Sequence, residues 1–329
     1  MVFTKEDEKM KNSITFGGIT VAPGEKVSQY VTVKGTDYKF PITIINGKED
    51  GKTLLATAGI HGCEYPGIQA AIELSKEIDP AEVCGAVILM HCINISGFEE
   101  RQIYVVPDDP ERKNLNRLFP GSADGTLADK ICDFISTEFV PRSDFHVDIH
   151  SGDMVEDLEA CVICCAPKLS ENNAYANEIA KCLSFKWRMN SGGRTECYNS
   201  SSIDRNIPSM LFERGGRGAC PREEVDADKD DLYTVMKFMK ILPGEVKPNP
   251  EQKFFKRHEW TEAGATGLCY MYAKAGDDIK EGQKIAEIKD MFGNLLEVIN
   301  AKFDGHVVIS TSTLAMKKGD DLITYGEIE

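Results

Sequence analysis

The run Leu54-Leu55-Ala56-Thr57-Ala58-Gly59-Ile60 is almost wholly apolar and stops abruptly at His61-Gly62-Cys63-Glu64. The run reads as a strand that ends where these polar residues begin. Its end carries an imidazole and a carboxylate three residues apart. One tight turn can present both to a single ion, and catalytic Zn²⁺ typically takes three such protein ligands and keeps a fourth position for water. By itself the pair is also what a common surface turn looks like, so the rest of the chain has to supply the third ligand.

Phe145-His146-Val147-Asp148-Ile149-His150 alternates with period two and ends at Ser151-Gly152. It reads as a strand whose C-terminal end carries His150 as the third ligand. His146, Asp148 and His150 share a face, so Asp148 is placed to orient a ligand from behind. His146 lies further down the strand and reads as a core or supporting histidine. His91, at the end of Ala86–Met90, reads as a core histidine, and His258 and His306 fall in a C-terminal region with no catalytic role assigned.

Two further segments carry chemistry. Asn114-Leu115-Asn116-Arg117-Leu118-Phe119-Pro120-Gly121 pairs an amide donor with a guanidinium fork, a combination suited to capturing a substrate carboxylate. Ile207-Pro208-Ser209-Met210-Leu211-Phe212-Glu213-Arg214-Gly215-Gly216 is an apolar strand delivering Glu213 to a glycine turn, where a carboxylate beside a metal site can take a proton from water and pass it to a leaving amine.

Strand and helix patterns alternate through the first three quarters of the chain. Leu54–Gly59, Gly85–Met90 and Ala160–Cys165 read as strands; Ile68–Glu77, Leu127–Phe139, Glu171–Leu183 and Asp231–Leu242 read as helices. Short β-like runs over Ser13–Ile45 suggest a lead-in sheet. The expected fold is α/β: a mostly parallel mixed sheet flanked by helices, with the site outside the carboxyl ends of its strands. Pro243-Gly244-Glu245-Val246-Lys247-Pro248-Asn249-Pro250 marks a boundary, giving a domain over 1–245 and a smaller all-β barrel or sandwich over 246–329.

HGCEYPG, NLNRLFPG, DIHSGD and MLFERGG, in this order, resemble the succinylglutamate desuccinylase/aspartoacylase family, a branch of the zinc carboxypeptidase superfamily. The resemblance covers about Thr53 to Gly218 and extends to the C-terminal segment. It implies a zinc carboxypeptidase-like fold and one Zn²⁺ per chain held by His61, Glu64 and His150. It also implies substrate-carboxylate binding by Asn116 and Arg117, and Glu213 as general base and acid. A further arginine, either Arg101 or Arg112, is implied to polarise the scissile carbonyl. The chain departs from the family pattern at Asn114, where Asp is common, and at Cys63, where Asn or Asp is common. Neither is a metal ligand in the resemblance, and Cys63 reads as a buried thiol under the turn.

Composition narrows the partners. A net charge of -15 argues against nucleic acid and against anionic membranes. No run of about 18 apolar residues is present, so no membrane span is expected. Met1–Asn12 lacks an apolar signal-like core. The odd count of 11 cysteines has no framework spacing, and Cys161, Cys164 and Cys165 read as reduced core thiols, in keeping with a cytoplasmic enzyme. Anionic substrates imply that basic groups gather in the pocket. The C-terminal β domain resembles biotinyl and lipoyl carriers, but Lys289-Asp290-Met291 lacks the carrier signature, so it reads as a structural lid or a homo-oligomer contact.

The activity expected from these readings is hydrolysis of the amide of a small N-acyl amino acid or related acidic amide. The alternatives are a zinc carboxypeptidase acting on peptides, and a binding protein that has kept the pocket without catalysis.

Overall fold

The computed structural model describes residues 12–107, 113–170 and 172–329. A hairpin of β1 (Ile14–Phe16) and β2 (Ile19–Val21) precedes β3 (Glu25–Thr32) and β4 (Lys39–Asn46). Next come β5 (Glu49–Ala58), α1 (Tyr65–Glu77), β6 (Cys84–Met90), α2 (Ile95–Glu100), α3 (Leu127–Glu138) and β7 (Phe145–His150). Then follow β8 (Glu156–Leu158), β9 (Cys161–Cys165), α4 (Asn173–Ala180), β10 (Trp187–Ser191), α5 (Cys197–Asp204), β11 (Ser209–Glu213) and α6 (Arg222–Phe238). The central sheet runs in the order β10-β9-β11-β7-β5-β6-β4-β3. Neighbours β6–β5–β7–β11 are all parallel, and antiparallel pairing enters at β9–β11, β4–β6 and β3–β4.

Both faces are covered, as the apolar run at β5 requires. Leu54, Ala56 and Ala58 face a core shared with Ala71 and Leu74 of α1 and Leu232, Val235 and Met236 of α6. Leu55 faces the opposite core with Ile131, Phe134 and Ile135 of α3. Of the residues over Ser13–Ile45, β1 and β2 form a separate two-stranded sheet, whereas β4 pairs with β6, so β3 and β4 extend the main sheet.

One helix starts earlier than its sequence reading, and another has no apolar period to show it. The last begins at Arg222 rather than Asp231, and its buried stripe of Val225, Asp228, Asp231, Leu232, Val235 and Met236 contains two aspartates that disguise the period. Those aspartates are bound by buried Arg214, from Nε to Asp228 Oδ1 at 3.0 Å and from Nη2 to Asp231 Oδ2 at 2.5 Å. The segment Cys197–Asp204, rich in serine, is a helix whose serines 200–202 are all buried. Of the span read as Glu171–Leu183, Asn173–Ala180 is helical and Glu171 lies outside the described residues.

From Lys253 onward the chain is all β. These strands are β12 (Lys253–Glu262), β13 (Gly267–Met271), β14 (Asp278–Ile279), β15 (Lys284–Lys289), β16 (Leu295–Asn300), β17 (Gly305–Thr311), β18 (Ala315–Met316) and β19 (Asp321–Ile328). A sheet in the order β16-β15-β13-β18 encloses a core of Ile285, Ile288, Phe303, Val307 and Tyr325 together with β14-β17-β19-β12. The second of these sheets joins the main one where β12 runs parallel to β10, and β8 pairs with β17. Lys289 binds Glu287 at 2.8 Å and lies over Tyr270, while the hairpin tip is Met291 and Phe292. All eleven cysteines are free thiols.

A polar cluster pins this β region to the main sheet. Glu159 Oε2 accepts hydrogen bonds from Trp187 Nε1 at 2.5 Å and His306 Nε2 at 2.7 Å, and His306 Nδ1 faces Asp278 Oδ1 at 2.7 Å. Burial alone would push the Glu159 carboxyl up, but its bonds to His306 and Trp187 outweigh burial and hold it below the usual range. A carboxyl lowered on folding stabilises fully above its unfolded pKa of about 4.3, and that contribution disappears as pH falls through the lowered value. Glu159→Gln is therefore expected to cost about 1–2 kcal/mol near neutrality. In melts recorded from pH 6 to pH 3, wild type should lose its advantage over the variant; a gap that stays constant across that range contradicts the assignment.

Candidate metal and substrate site

Parallel register brings the strand ends together. Ala58 is level with Ile149, and His150 is level with Glu213, so β5, β7 and β11 release their chains at one edge of the sheet. The turn after β5 has little room: a Cβ on Gly62 would stand 2.1 Å from the backbone nitrogen of Phe98, so only glycine lets this turn pack against α2. Glu64 follows as the residue capping α1, with Pro66 in the first turn, and its carboxylate lies at the positive end of the helix.

His61, Glu64 and His150 converge, with ligand atoms within 4.8 Å of one another. His61 Nδ1 is 2.6 Å from Glu64 Oε1 and His150 Nδ1 is 2.8 Å from Glu64 Oε2. The outward nitrogens are anchored, His150 Nε2 on Asp148 Oδ2 at 3.1 Å and His61 Nε2 on Asn114 Oδ1 at 3.1 Å. Burial pushes the Glu64 carboxyl up, yet the facing imidazoles outweigh it and bring it down to about 2. Burial also opposes charge on His150, but Asp148 and Glu64 overcome it and raise this group well above its usual value. The centre thus favours positive charge, and two imidazole nitrogens plus a carboxylate form a donor set that fits zinc.

His146 is buried, with Nε2 on Thr57 Oγ1 at 2.8 Å and Nδ1 on Ser201 Oγ at 2.9 Å. Both nitrogens are hydrogen-bonded inside the core, so His146 supports the strand, and with Asp148 and Cys197 it forms a second, fully buried group whose ligand atoms lie within 4.8 Å of one another. Thr57 Oγ1 in turn donates to Asp148 Oδ1 at 2.6 Å, which locks the carboxylate behind His150. His91 bonds Thr43 at 2.9 Å, and Cys63 is a buried thiol whose pKa burial pushes up to about 12.

A cavity of about 430 Å³ opens over the centre. Its lining includes His61, Glu64, Asn116, Arg117, His150 and Glu213. Glu213 ends β11 beside His150; burial chiefly, with Glu64, Glu156 and Asp148 adding, raises its carboxyl well above the usual range against the pull of His150. Asn116 Oδ1 accepts the Cys197 backbone N–H at 2.9 Å, which leaves its Nδ2 donors for a ligand. Arg117 is half-exposed, 3.8 Å from Asp321. Arg101 lines an adjoining cavity of about 470 Å³ that shares Asn114, Arg117, Asp153, Glu156 and Asp321 with the first. Arg112 lies outside the described residues.

The expectation of a basic pocket does not hold among the described residues. The lining carries the carboxylates of Glu64, Asp153, Glu156, Glu196, Glu213, Glu262 and Asp321 against one arginine, Arg117. Burial chiefly, with Asp153 adding, pushes the Glu156 carboxyl up to about 8. The pattern reading also missed His258, Trp260 and Glu262, which β12 brings into the wall. Only tertiary folding reveals them, since they lie more than forty residues beyond Glu213 on an unremarkable strand.

Fold and centre together define an α/β protein with a two-histidine, one-carboxylate site at the strand ends. The family profile described as "Succinylglutamate desuccinylase/Aspartoacylase catalytic domain" matches residues 50–239, more than half of the chain, and the protein belongs to that family. It is 26% identical over 296 residues, 88% of this chain and 85% of the relative, to the N-alpha-acetyl-L-2,4-diaminobutyric acid deacetylase of Halomonas elongata. Two solved structures share the fold. A succinylglutamate desuccinylase/aspartoacylase from Rhodobacter sphaeroides is 24% identical, with TM-score 0.78 over 92% of this chain and 96% of that one. The product-bound ectoine utilization protein EutE (DoeB) from Ruegeria pomeroyi is 21% identical, with TM-score 0.81 over 98% and 99%.

Arg214 follows Glu213 directly, so its buried grip on Asp228 and Asp231 also fixes the end of β11. Arg214→Met strands two buried carboxylates and is expected to cost about 3–5 kcal/mol in urea unfolding. Equal unfolding midpoints for the variant and wild type would remove this cluster from the account of how Glu213 is held.

Proposed function

We propose that the protein is a zinc-dependent hydrolase that cleaves the amide of a small N-acyl amino acid. The observation that carries this reading is the meeting of His61, Glu64 and His150 with Glu213 in one cavity. Zn²⁺ held by the first three would supply Lewis acidity, easing deprotonation of water and polarising an acyl carbonyl. Glu213 would take the proton of the attacking water and hand it to the departing amine, a role that suits a carboxyl whose proton affinity is raised by burial. Asn116 Nδ2 and Arg117 would hold the substrate carboxylate and so fix which amide reaches the centre. Arg101, from the adjoining cavity, or Arg112 would add positive charge at the developing oxyanion.

The wall supplied by β12, β17 and β19, with Trp260, Glu262, Ile309 and Asp321, favours a compact substrate over a peptide chain. The crowded carboxylates favour a substrate that brings a cation besides its carboxylate. An acylated diamino acid, the substrate type in the name of the Halomonas relative, has that charge pattern.

Purified protein should contain about one zinc per chain. Glu213→Gln should retain the metal and lose about 10²–10⁴-fold in kcat. In a panel of N-acyl amino acids, Nα-acetyl-2,4-diaminobutyrate should exceed N-acetylaspartate at least tenfold in kcat/KM, one unit of about 1.4 kcal/mol. Protein without metal, or a Glu213→Gln variant as active as wild type, sinks the mechanism; preference for N-acetylaspartate sinks the charge argument alone.

A further inference from the structure

Asn114 Oδ1 serves two partners beside the three ligands. It accepts the backbone N–H of Asn116 at 2.9 Å and so caps the short 3₁₀ turn Leu115–Arg117. The same oxygen stands 3.1 Å from His61 Nε2. Because a backbone N–H can only donate, the atom bound to it is the amide oxygen and not the nitrogen, which settles the orientation of the side chain. An oxygen so placed offers His61 only an acceptor. His61 Nε2 must therefore carry a hydrogen, which leaves Nδ1, hydrogen-bonded to Glu64 Oε1 at 2.6 Å, as the nitrogen that would give its lone pair to a metal. On the other side of the centre His150 is held the same way, except that its Nε2 meets the buried carboxylate of Asp148.

We propose that Asn114 is a positioning residue that ties the His61 tautomer to the placement of Asn116 and Arg117 through one shared acceptor oxygen. A single side chain then sets two parts of the site. It turns the His61 lone pair toward the metal position, and it closes the turn that carries both carboxylate-binding groups into the cavity. The two ligand histidines are backed unequally, His61 by a neutral amide and His150 by a carboxylate, so His61 is the less electron-rich ligand. This inference rests on the proposed metal reading, and its test is read first in metal affinity.

Two substitutions separate the two jobs. Asn114→Ser keeps a side-chain oxygen able to cap the turn but is one bond too short to reach His61. Asn114→Asp keeps both contacts and adds charge. Zinc affinity is measured by chelator competition on each purified variant, with KM for the best N-acyl amino acid taken at saturating zinc. Asn114→Ser is expected to weaken zinc binding at least tenfold while KM stays within about threefold, and Asn114→Asp to bind zinc at least as tightly as wild type. Zinc affinity of Asn114→Ser within about threefold of wild type overturns the proposal, as does an Asn114→Asp variant as weak as Asn114→Ser. Wild-type protein that binds no zinc defeats the metal reading instead, so the two failures are distinguishable.

Discussion

Everything at the site depends on the parallel register of β5, β7 and β11. In a parallel sheet neighbouring strands finish at the same edge, and here the pairs Ala58–Ile149 and His150–Glu213 bring three chain exits side by side. Helix α1 then starts at once after Glu64, so the ligand pair is trapped between a strand end and a helix start. A slip of one residue in β7 would send His150 and Asp148 to the opposite face. The packing that forbids the slip lies in the two cores. Phe145, Val147 and Ile149 belong to the core under α1 and α6, while His146, Asp148 and His150 point the other way into a polar network.

That network shows how buried polar groups are sustained so close to a core. Thr57 bonds both His146 and Asp148, Asp148 bonds His150, and Ser201 completes His146 from the helix Cys197–Asp204. Each donor finds an acceptor, which is the condition for a buried polar layer to rigidify rather than weaken a structure. Of the buried serines of α5, Ser201 reaches this network, while Ser200 bonds Asp204 and Ser202 bonds Ser170.

Much of this was legible in the sequence because the period of the strands is two and the chemistry falls at their ends. The alternation of strand and helix patterns foretold a sheet covered on both faces, and the alternation in β7 separated His150 and Asp148 from the core positions. Legibility failed wherever a tertiary partner replaced the local pattern. Asp228 and Asp231 occupy core positions of α6 only because Arg214 arrives from another element, so the helix looked shorter and more exposed than it is. The buried serines of α5 failed for the same reason. The acidity of the pocket was hidden too, since its carboxylates come from the loop after β7 and from β8, β11, β12 and β19, among other segments, and no local window shows them together.

The charge of the cavity also bears on the choice among functions. The lining brings seven carboxylates to a space of about 430 Å³, and burial raises the proton affinity of at least Glu156 and Glu213. Such crowding is costly unless cations enter, because each buried carboxylate must be paired, hydrogen-bonded or neutralised. A metal cation at the imidazole pair would answer for Glu64 and its neighbourhood. It would do little for the outer-wall residues Asp153, Glu156, Glu262 and Asp321, whose nearby arginines among the described residues are Arg117 and, across the adjoining cavity, Arg101. A substrate with a carboxylate alone would draw Arg117 from Asp321 and leave that wall worse balanced. One that carries a carboxylate and an ammonium group would leave the balance better, which is the electrostatic basis for proposing a zwitterionic amide rather than a purely acidic one.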